Sequence, residues 1–394
     1  MKNMGLLLAL VILTFSFSVF PMAHWDQAND PELMGNNYER NFSKLPLSAN
    51  LKTLPWSDDY WPTYKGGITY RWNQKVATGE YSQLWTYPIE DANKLKTPMA
   101  SLSPAEKYDL YLGRLDFPLT NYERKRTKIM QTVPGSPEYK EGFKIPEWEG
   151  LCHAWSPATL HYKNPAPITV VGKSGQEISF GSSDIKALLT YHLHLNKSSR
   201  TRFLGSRCNL DFAELESKVA NNEITEKERD QKMNSASCKD TNAGAFHVAL
   251  ANQIALMNQG FVADITRDSE VWNQPVYGYD VYILDTKDGA SEGAAPGTVK
   301  EVTVFTTMSY VEETEQSFDL VTEPSYIRKM EYQYRLELNK NGEIIGGEWD
   351  TEERPDFIWK SAPVPFKGYF KELEGLYKKS IQYLEPQPTP TLRP

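Results

Sequence analysis

The chain has little cysteine, little histidine and no surplus of positive charge. Its 394 residues include 3 Cys and 6 His, and 51 acidic residues outnumber 43 Lys and Arg to give a formal net charge of −8. Proteins that bind nucleic acids or anionic membranes carry clustered positive charge. We therefore expect no nucleic-acid partner and no electrostatic attraction to anionic membranes. Hydrophobic residues make up 40% of the chain, enough to form a folded core.

Long apolar runs are absent after residue 23. Residues 1–23 contain Lys2, an apolar stretch of roughly 15 residues and a small residue, Ala23, at the end. This order is typical of a signal peptide, and the stretch is shorter than the ~20 residues of a membrane-spanning helix. We expect a secreted or periplasmic protein without stable membrane insertion; an uncleaved anchor is the alternative.

An odd number of cysteines in an exported protein predicts one disulfide and one unpaired thiol. Cys208 and Cys238 lie in polar, loop-like segments, and a bond between them closes a loop of about 30 residues. Cys152 lies apart, among aromatic and small residues. We expect a Cys208–Cys238 disulfide and a free Cys152, which is either reactive or buried as a small hydrophobic residue.

The spacing of apolar residues divides the chain into four parts. After the signal peptide, residues 24–140 form an N-terminal extension or pro-like helical segment, residues 141–385 a core, and residues 386–394 a Pro-rich tail. Apolar residues at helical spacing, followed after residue 260 by apolar residues at every second position, predict an α+β protein. Helices are predicted over 104–114, 121–131, 183–195 and 368–384, strands over 261–265, 276–284, 299–308 and 329–338, and a type I′ turn at Asn341-Gly342.

Three residues have the chemistry of a cysteine enzyme. A thiol nucleophile needs a base and a third group that orients the base. Cys152 is the candidate nucleophile; His153, its immediate neighbour, is poorly placed to turn back toward it. His247 begins an apolar element of undecided type, strand or helix, and Asp264 interrupts an apolar strand where a carboxylate needs a partner. The order and spacing of these three residues are consistent both with a catalytic triad and with a chance arrangement.

Two other histidines, His192 and His194, resemble one edge of a metal site. No further His or Cys completes such a site nearby, so ordinary, partly buried histidines are the expected interpretation.

One segment resembles a known family. Val271-Trp272-Asn273-Gln274-Pro275-Val276, followed by Gly278 and Val281-Tyr282, closely resembles the surface peptide of oomycete calcium-dependent transglutaminases that plants recognise as an elicitor. Segments 148–158, 238–247 and 346–357 resemble the same transglutaminase elicitor family and follow in the family's order. The resemblance covers roughly residues 100–360.

The resemblance implies a papain-like or transglutaminase-like core with an additional N-terminal helical segment. It implies acyl transfer from protein glutamine to lysine or small amines, with Cys152 as nucleophile, His247 as base and Asp264 as its orienting group. Calcium dependence is implied as well, without an organic cofactor. No calcium ligands are assigned, because the loop-like segment 285–289 has too few carboxylates for an EF-hand.

Several residues and segments have two alternative interpretations. Trp148 and Trp155 either wall the site and support the oxyanion or pack in the core. Residues 271–276 either enter a strand, with Trp272 as anchor, or border an acyl-acceptor cleft. Pro157 predicts a helix that starts at Ser156-Pro157 and leaves Cys152 on the preceding turn. A cysteine hydrolase (deamidase or peptidase) with the same triad and a non-catalytic surface protein are the alternative functions.

Overall fold

The computed structural model describes residues 24–382, except 197, 199, 234, 236, 237, 239, 268 and 323–325. The predicted signal peptide, residues 1–23, and the predicted tail, residues 386–394, lie outside the described residues. Within those residues, no helix has the length and apolar character of a membrane span.

Helices occur in both the N-terminal and the central parts of the chain. The capping box predicted at Ser103 and Glu106 is present at the start of the first long helix. The element around residue 247, whose type the sequence left open, is a helix that widens into a π-helix over Ala251–Leu256. The α-helices are α1 Gln83–Thr86, α2 Pro104–Tyr111, α3 Pro118–Thr127, α4 Cys152–His161, α5 Ser182–Leu195, α6 Phe212–Ala220, α7 Glu226–Met233, α8 Ala243–Leu250 and α9 Leu373–Ile381.

Antiparallel strands form the centre of the molecule. They are β1 Ser48–Asn50, β2 Ile168–Val171, β3 Glu177–Phe180, β4 Thr201–Gly205, β5 Phe261–Asp264, β6 Asn273–Asp288, β7 Lys300–Val311, β8 Ile327–Leu338, β9 Ile344–Trp349 and β10 Phe357–Ser361. The main sheet has the order β4-β10-β5-β6-β7-β8-β9. Strand β1 pairs with residues 278–280 of β6, just after the residues of β6 that pair with β5. Strands β2 and β3 form a separate hairpin. Helices combined with an antiparallel sheet confirm the mixed α and β composition.

Two local predictions differ from the structure. Asp285 and Asp288 belong to β6 and pair with β7, so the segment predicted as a loop is strand up to Asp288. In the β8–β9 hairpin only Gly342 has a positive φ, of 78°. Asn339 N–H donates to Glu343 O (3.0 Å) across a three-residue loop. Glycine in the left-handed region is typical of such loops, and the predicted type I′ turn is wrong because it needs two residues there.

The two faces of the sheet have different neighbours. Successive side chains of a strand point to opposite faces. In β5, Phe261 and Ala263 belong to the core that contains α8, whereas Val262 packs against Leu160 of α4. Asp264 therefore shares the α4 face with Val262.

The N-terminal residues pack into the two largest hydrophobic cores of the described residues. Met34 and Tyr38 join the core beneath α8, and Trp61 joins the core formed with α5 and α9. A fully buried ion pair between Lys107 of α2 and Asp184 of α5 ties the predicted extension to the rest of the chain. Residues 24–140 therefore share their cores with the part that carries Cys152.

Helix α8 lies backbone to backbone on β9. A Cβ atom added to Gly244 would lie 2.2 Å from Gly346 O, and one added to Gly347 would lie 2.6 Å from Gly244 N. No side chain fits at either position, so glycine allows the helix to approach the strand this closely.

A disulfide joins Cys208 to Cys238, and Cys152 is the free cysteine, in the pairing expected from the sequence. Backbone N–H of Cys208 donates to both carboxylate oxygens of Asp356 (2.8 and 3.1 Å), which fixes this loop against the start of β10.

We predict that replacing both Cys208 and Cys238 by serine lowers the free energy of unfolding. The sequence separation is 30, and loop-closure entropy then gives roughly 3–4 kcal/mol. Urea unfolding with and without reductant measures the difference. Equal stability of the variant and the oxidised protein would contradict the prediction.

Candidate active site

Cys152 is the first residue of α4 and is 6% exposed. Backbone N–H of Leu151, the residue before it, donates to Tyr60 O (2.7 Å) and fixes the entry into the helix. The helix therefore starts at Cys152, and the predicted start at Ser156-Pro157 is wrong. Pro157 lies inside α4 because it removes only one intrahelical hydrogen bond, within the second turn.

The sulfur of Cys152 contacts the segment that resembles the elicitor peptide. Sγ donates to Val271 O (3.4 Å), and Asn273 Nδ2 lies 3.7 Å from Sγ. Asn273 is oriented from two sides: its Oδ1 accepts from Trp359 Nε1 (2.7 Å), and its backbone O accepts from Ser156 Oγ (2.6 Å). This network directs the side-chain amide of Asn273 toward the thiol.

The rest of this segment forms the entry of β6. Backbone N–H of Trp272 donates to Asp264 Oδ1 (2.9 Å), and its ring lies 5.9 Å from that of Tyr60. Gln274 Nε2 donates to Glu313 Oε2 (2.8 Å), and Pro275 pairs with Val262 of β5. The segment thus enters a strand and also contacts the candidate nucleophile.

Asp264 ends β5 opposite Asn273 and is fully buried. Its Oδ1 accepts from Thr266 and Trp272, while Oδ2 has no hydrogen-bond partner among the described residues. Burial raises the pKa of Asp264 to about 6, against the hydrogen bonds from Trp272 and Thr266 that lower it. The carboxylate lies near enough to Cys152 for its charge to raise the thiol pKa.

His247 is not in this group. Its Nδ1 lies 2.9 Å from Tyr334 Oη, its ring packs against Phe42, and Nε2 has no partner among the described residues. Burial lowers its pKa to about 3, so the imidazole is neutral. It belongs to α8, and no hydrogen bond within the described ranges joins it to Cys152 or Asp264.

The predicted triad therefore needs correction. The structure places Cys152 and Asp264 on the same face of the sheet and His247 on the other face. Sequence spacing put these residues in a plausible order, but it did not show which side of the sheet α8 covers.

The thiol is protonated at neutral pH. Burial raises the pKa of Cys152 to about 11; hydrogen bonds from Asn273 lower it, and the charges of Glu313 and Asp264 raise it further. Burial also raises the pKa of Glu313 to about 7. Thiolate formation therefore requires transfer of the proton to another group.

A cavity of about 410 Å³ opens beside Val271 and Asn273, the two residues that contact Sγ. Its apolar wall includes Phe203 and Trp359, whose rings stack at 5.7 Å. His153 and His194 line the same cavity. The lining residues include no carboxylate.

The two histidines lie on different helices. His153 Nε2 lies 3.0 Å from His194 Nδ1, so one ring nitrogen donates to the other. Sequence reasoning missed this pair because the residues are 41 positions apart on α4 and α5. His192, by contrast, is buried and stacks on Phe366 (4.7 Å). It does not line the cavity.

The remaining predicted residues lie outside the cavity wall. Trp155 is fully buried against Trp56 and Ala158, which supports the packing interpretation. Trp148 is partly exposed in the segment before α4. Trp359, which pairs with Val262, was missed because three consecutive apolar residues in β10 do not indicate which of them faces α4.

No calcium-binding site is evident among the described residues. In the part of the chain that the structure describes, no group of three or more His, Cys, Asp or Glu side chains is arranged to hold a metal ion. The chemistry proposed below uses no metal.

Comparison with known proteins relates the chain to one family. Residues 28–385 match the family described as Transglutaminase elicitor. The fold is similar to the crystal structure of the GP42 transglutaminase from Phytophthora sojae. The TM-score is 0.62 at 24% sequence identity, over 91% of this chain and 98% of that chain. No curated protein sequence matches.

We predict that iodoacetamide labels native Cys152 slowly at pH 7 and faster as the pH rises. Below a thiol pKa of about 11, the thiolate fraction increases about tenfold per pH unit. Mass spectrometry of the labelled peptide between pH 5 and 9 measures the rate, with Cys152→Ser as control. A fast rate that does not change below pH 7 would instead indicate a thiolate stabilised by a neighbouring cation.

Proposed function

Because the chain belongs to the transglutaminase elicitor family, we propose that it is an exported protein-glutamine γ-glutamyltransferase whose nucleophile is Cys152. The position of this residue carries the proposal. Cys152 begins α4, its sulfur contacts Val271 and Asn273, and a cavity opens beside both. The substrates are proteins with accessible glutamine, and lysine side chains or small primary amines.

The first half-reaction forms a thioester. The sulfur of Cys152 attacks the carbonyl carbon of the glutamine side chain, the C–S bond forms and the C–N bond breaks. The thiol proton passes through one water to the carboxylate of Asp264, and then to the nitrogen that leaves as ammonia. Asp264 suits this role because its Oδ2 is buried without a partner and its pKa of about 6 leaves it ionised at pH 7.

The second half-reaction releases the product. The amine nitrogen attacks the thioester carbon, the C–N bond forms and the C–S bond breaks. A proton leaves the amine for Asp264 and returns to the sulfur. The product is an isopeptide bond when the amine belongs to lysine; water in place of the amine gives glutamate.

The developing oxyanion has donors nearby. Asn273 directs its amide toward Sγ, and backbone N–H of Cys152 lies at the start of α4, where N–H groups precede the first intrahelical bonds. Trp359 acts through Asn273: its indole N–H holds Oδ1, so that Nδ2 points to the reacting atoms.

Export is part of the proposal. The predicted signal peptide and the Cys208–Cys238 disulfide both support an oxidising compartment. Recognition by plants is not included, because the resemblance of residues 271–276 concerns the peptide alone.

An amine-incorporation assay tests the activity. We expect the protein to attach a fluorescent primary amine to a glutamine-containing protein and to release ammonia in equal amount. Cys152→Ala should abolish both while thermal unfolding stays nearly unchanged. Ammonia without incorporation would indicate a deamidase, backbone cleavage a peptidase, and no reaction a non-catalytic protein.

Two matched variants test the proton acceptor. Asp264→Asn should lower kcat by about 100-fold or more, because the amide cannot take the thiol proton. In the unmutated enzyme, kcat should rise with pH through about 6, where Asp264 loses its proton.

His247→Gln is the matched comparison. It should change kcat by less than about threefold, but lower the free energy of unfolding by roughly 1–3 kcal/mol, because the contact with Tyr334 is lost in a buried site. A loss of activity in His247→Gln as large as that in Cys152→Ala would show that His247 takes part in catalysis.

A further inference from the structure

A second cavity continues the first along α4. Its volume is about 740 Å³, and its walls include Leu160 and His161 near the end of that helix. Pro157 and Ser361 line both cavities, so the two are neighbours along one groove. The groove starts beside the contacts of Cys152 and passes the end of β5, where β10 continues without a β5 partner, to reach the side of the sheet that α8 covers.

The far end of this groove is basic. Arg200, Arg202 and Lys360 line it, and none of them forms an ion pair with any described residue. No Asp or Glu lines either cavity. In a chain with 51 acidic and 43 basic residues, a groove of this length without one carboxylate is a local reversal of charge.

Two of these cations lie directly opposite each other. Lys360 of β10 pairs with Arg202 of β4 in the antiparallel register. Like charges in this position destabilise a sheet unless an anion lies between or near them. Their internal contacts are uncharged: Lys360 Nζ donates to Gln253 Oε1 (3.1 Å), and Arg202 Nη1 donates to Asn36 Oδ1 (3.3 Å). Burial and the charge of Arg202 lower the pKa of Lys360, and a bound carboxylate would oppose this shift.

We propose that this groove binds an acidic segment of the glutamine donor protein, with carboxylates on Arg202 and Lys360 while the glutamine lies at Cys152. The inference rests on the proposed function and specifies its substrate class. A polypeptide is favoured because the groove near Cys152 has an apolar wall of Phe203 and Trp359 with a single arginine, Arg207, while the cluster of cations lies at its far end. The net charge of −8 opposes long polyanions such as nucleic acid.

The length of α4 sets the expected spacing. Cys152 and His161 are nine residues apart on the helix, which corresponds to about 14 Å. An extended peptide covers that distance in about four residues. Lys360 and Arg202 project to the face of the sheet opposite α4, so the peptide must also pass the end of β5 to reach them. The acidic side chains should therefore lie roughly four to six residues from the reactive glutamine.

Three sets of synthetic peptides test the proposal. Each peptide has one reactive glutamine and, roughly four to six residues away, a pair of test residues. The pair consists of glutamates in the acidic set, of glutamines blocked as N-methyl amides in the neutral set, and of lysines in the basic set. Both the N-terminal and the C-terminal side are examined. Amine incorporation gives KM, and fluorescence anisotropy with the Cys152→Ala protein gives Kd independently of activity. We expect the acidic peptides from one side to bind about tenfold more tightly than the neutral peptides, with an advantage that falls as salt increases.

Variants locate the effect. Arg202→Gln combined with Lys360→Gln should remove the preference, and Arg202→Glu combined with Lys360→Glu should reverse it toward the lysine peptides. Lys340→Gln is the control, since this exposed lysine lies in the β8–β9 turn away from the groove. Thermal unfolding verifies that each variant is folded.

The outcomes separate the two proposals. Equal Kd values for acidic and neutral peptides, or a preference that survives both double variants, would overturn the acidic-segment proposal even if amines are incorporated. Acidic preference in the anisotropy measurement without any incorporation would overturn the proposed activity and leave the binding surface supported.

Discussion

The antiparallel pairing of β5 with β6 is the constraint on which the site depends. It places Asp264 opposite Asn273, so that both side chains face α4 and the thiol of Cys152. A shift of one residue would turn every side chain of the strand to the opposite face. The apolar residues of β5 prevent such a shift, because Phe261 and Ala263 belong to the core under α8.

Burial then sets the protonation states. It raises the pKa of Cys152 to about 11 and that of Asp264 to about 6. Between these values a thiol that still has its proton lies near a carboxylate that has lost its own. The candidate site therefore contains a proton donor and a proton acceptor at neutral pH. The Asn273 amide, held by Trp359, donates toward the sulfur and lowers the pKa of the thiol.

Much of the architecture could be predicted from local patterns. The capping box at Ser103, the period-two strands after residue 260 and the pairing of Cys208 with Cys238 are all local in sequence or depend on composition. Such signals do not require knowledge of which elements meet. The family followed from motifs that are contiguous in sequence, and the match over residues 28–385 confirms it.

The rest depends on contacts between distant segments. Asp264 needed a partner by the argument from burial, yet its partners are backbone N–H groups and Thr266 rather than an imidazole. His194 meets His153 only because α4 and α5 pack together, and Trp359 reaches Asn273 across the sheet. Neither contact leaves a pattern within one segment. Pro157 misled the prediction of the helix start, since a proline within the second turn is tolerated when a helix is held by packing.

The glycine contact between α8 and β9 has a consequence for how far the candidate active site can rearrange. Gly244 and Gly347 bring the two backbones so close that the helix has no layer of side chains on which to slide or roll. Rotation of α8 about its axis would press neighbouring Cβ atoms into the backbone of β9. His247 is thus confined to its position beside Tyr334, and a path to Cys152 would require it to pass through a paired sheet. Any rearrangement of the proposed site must therefore come from the other face, where α4 packs on α5 and its start contacts Tyr60.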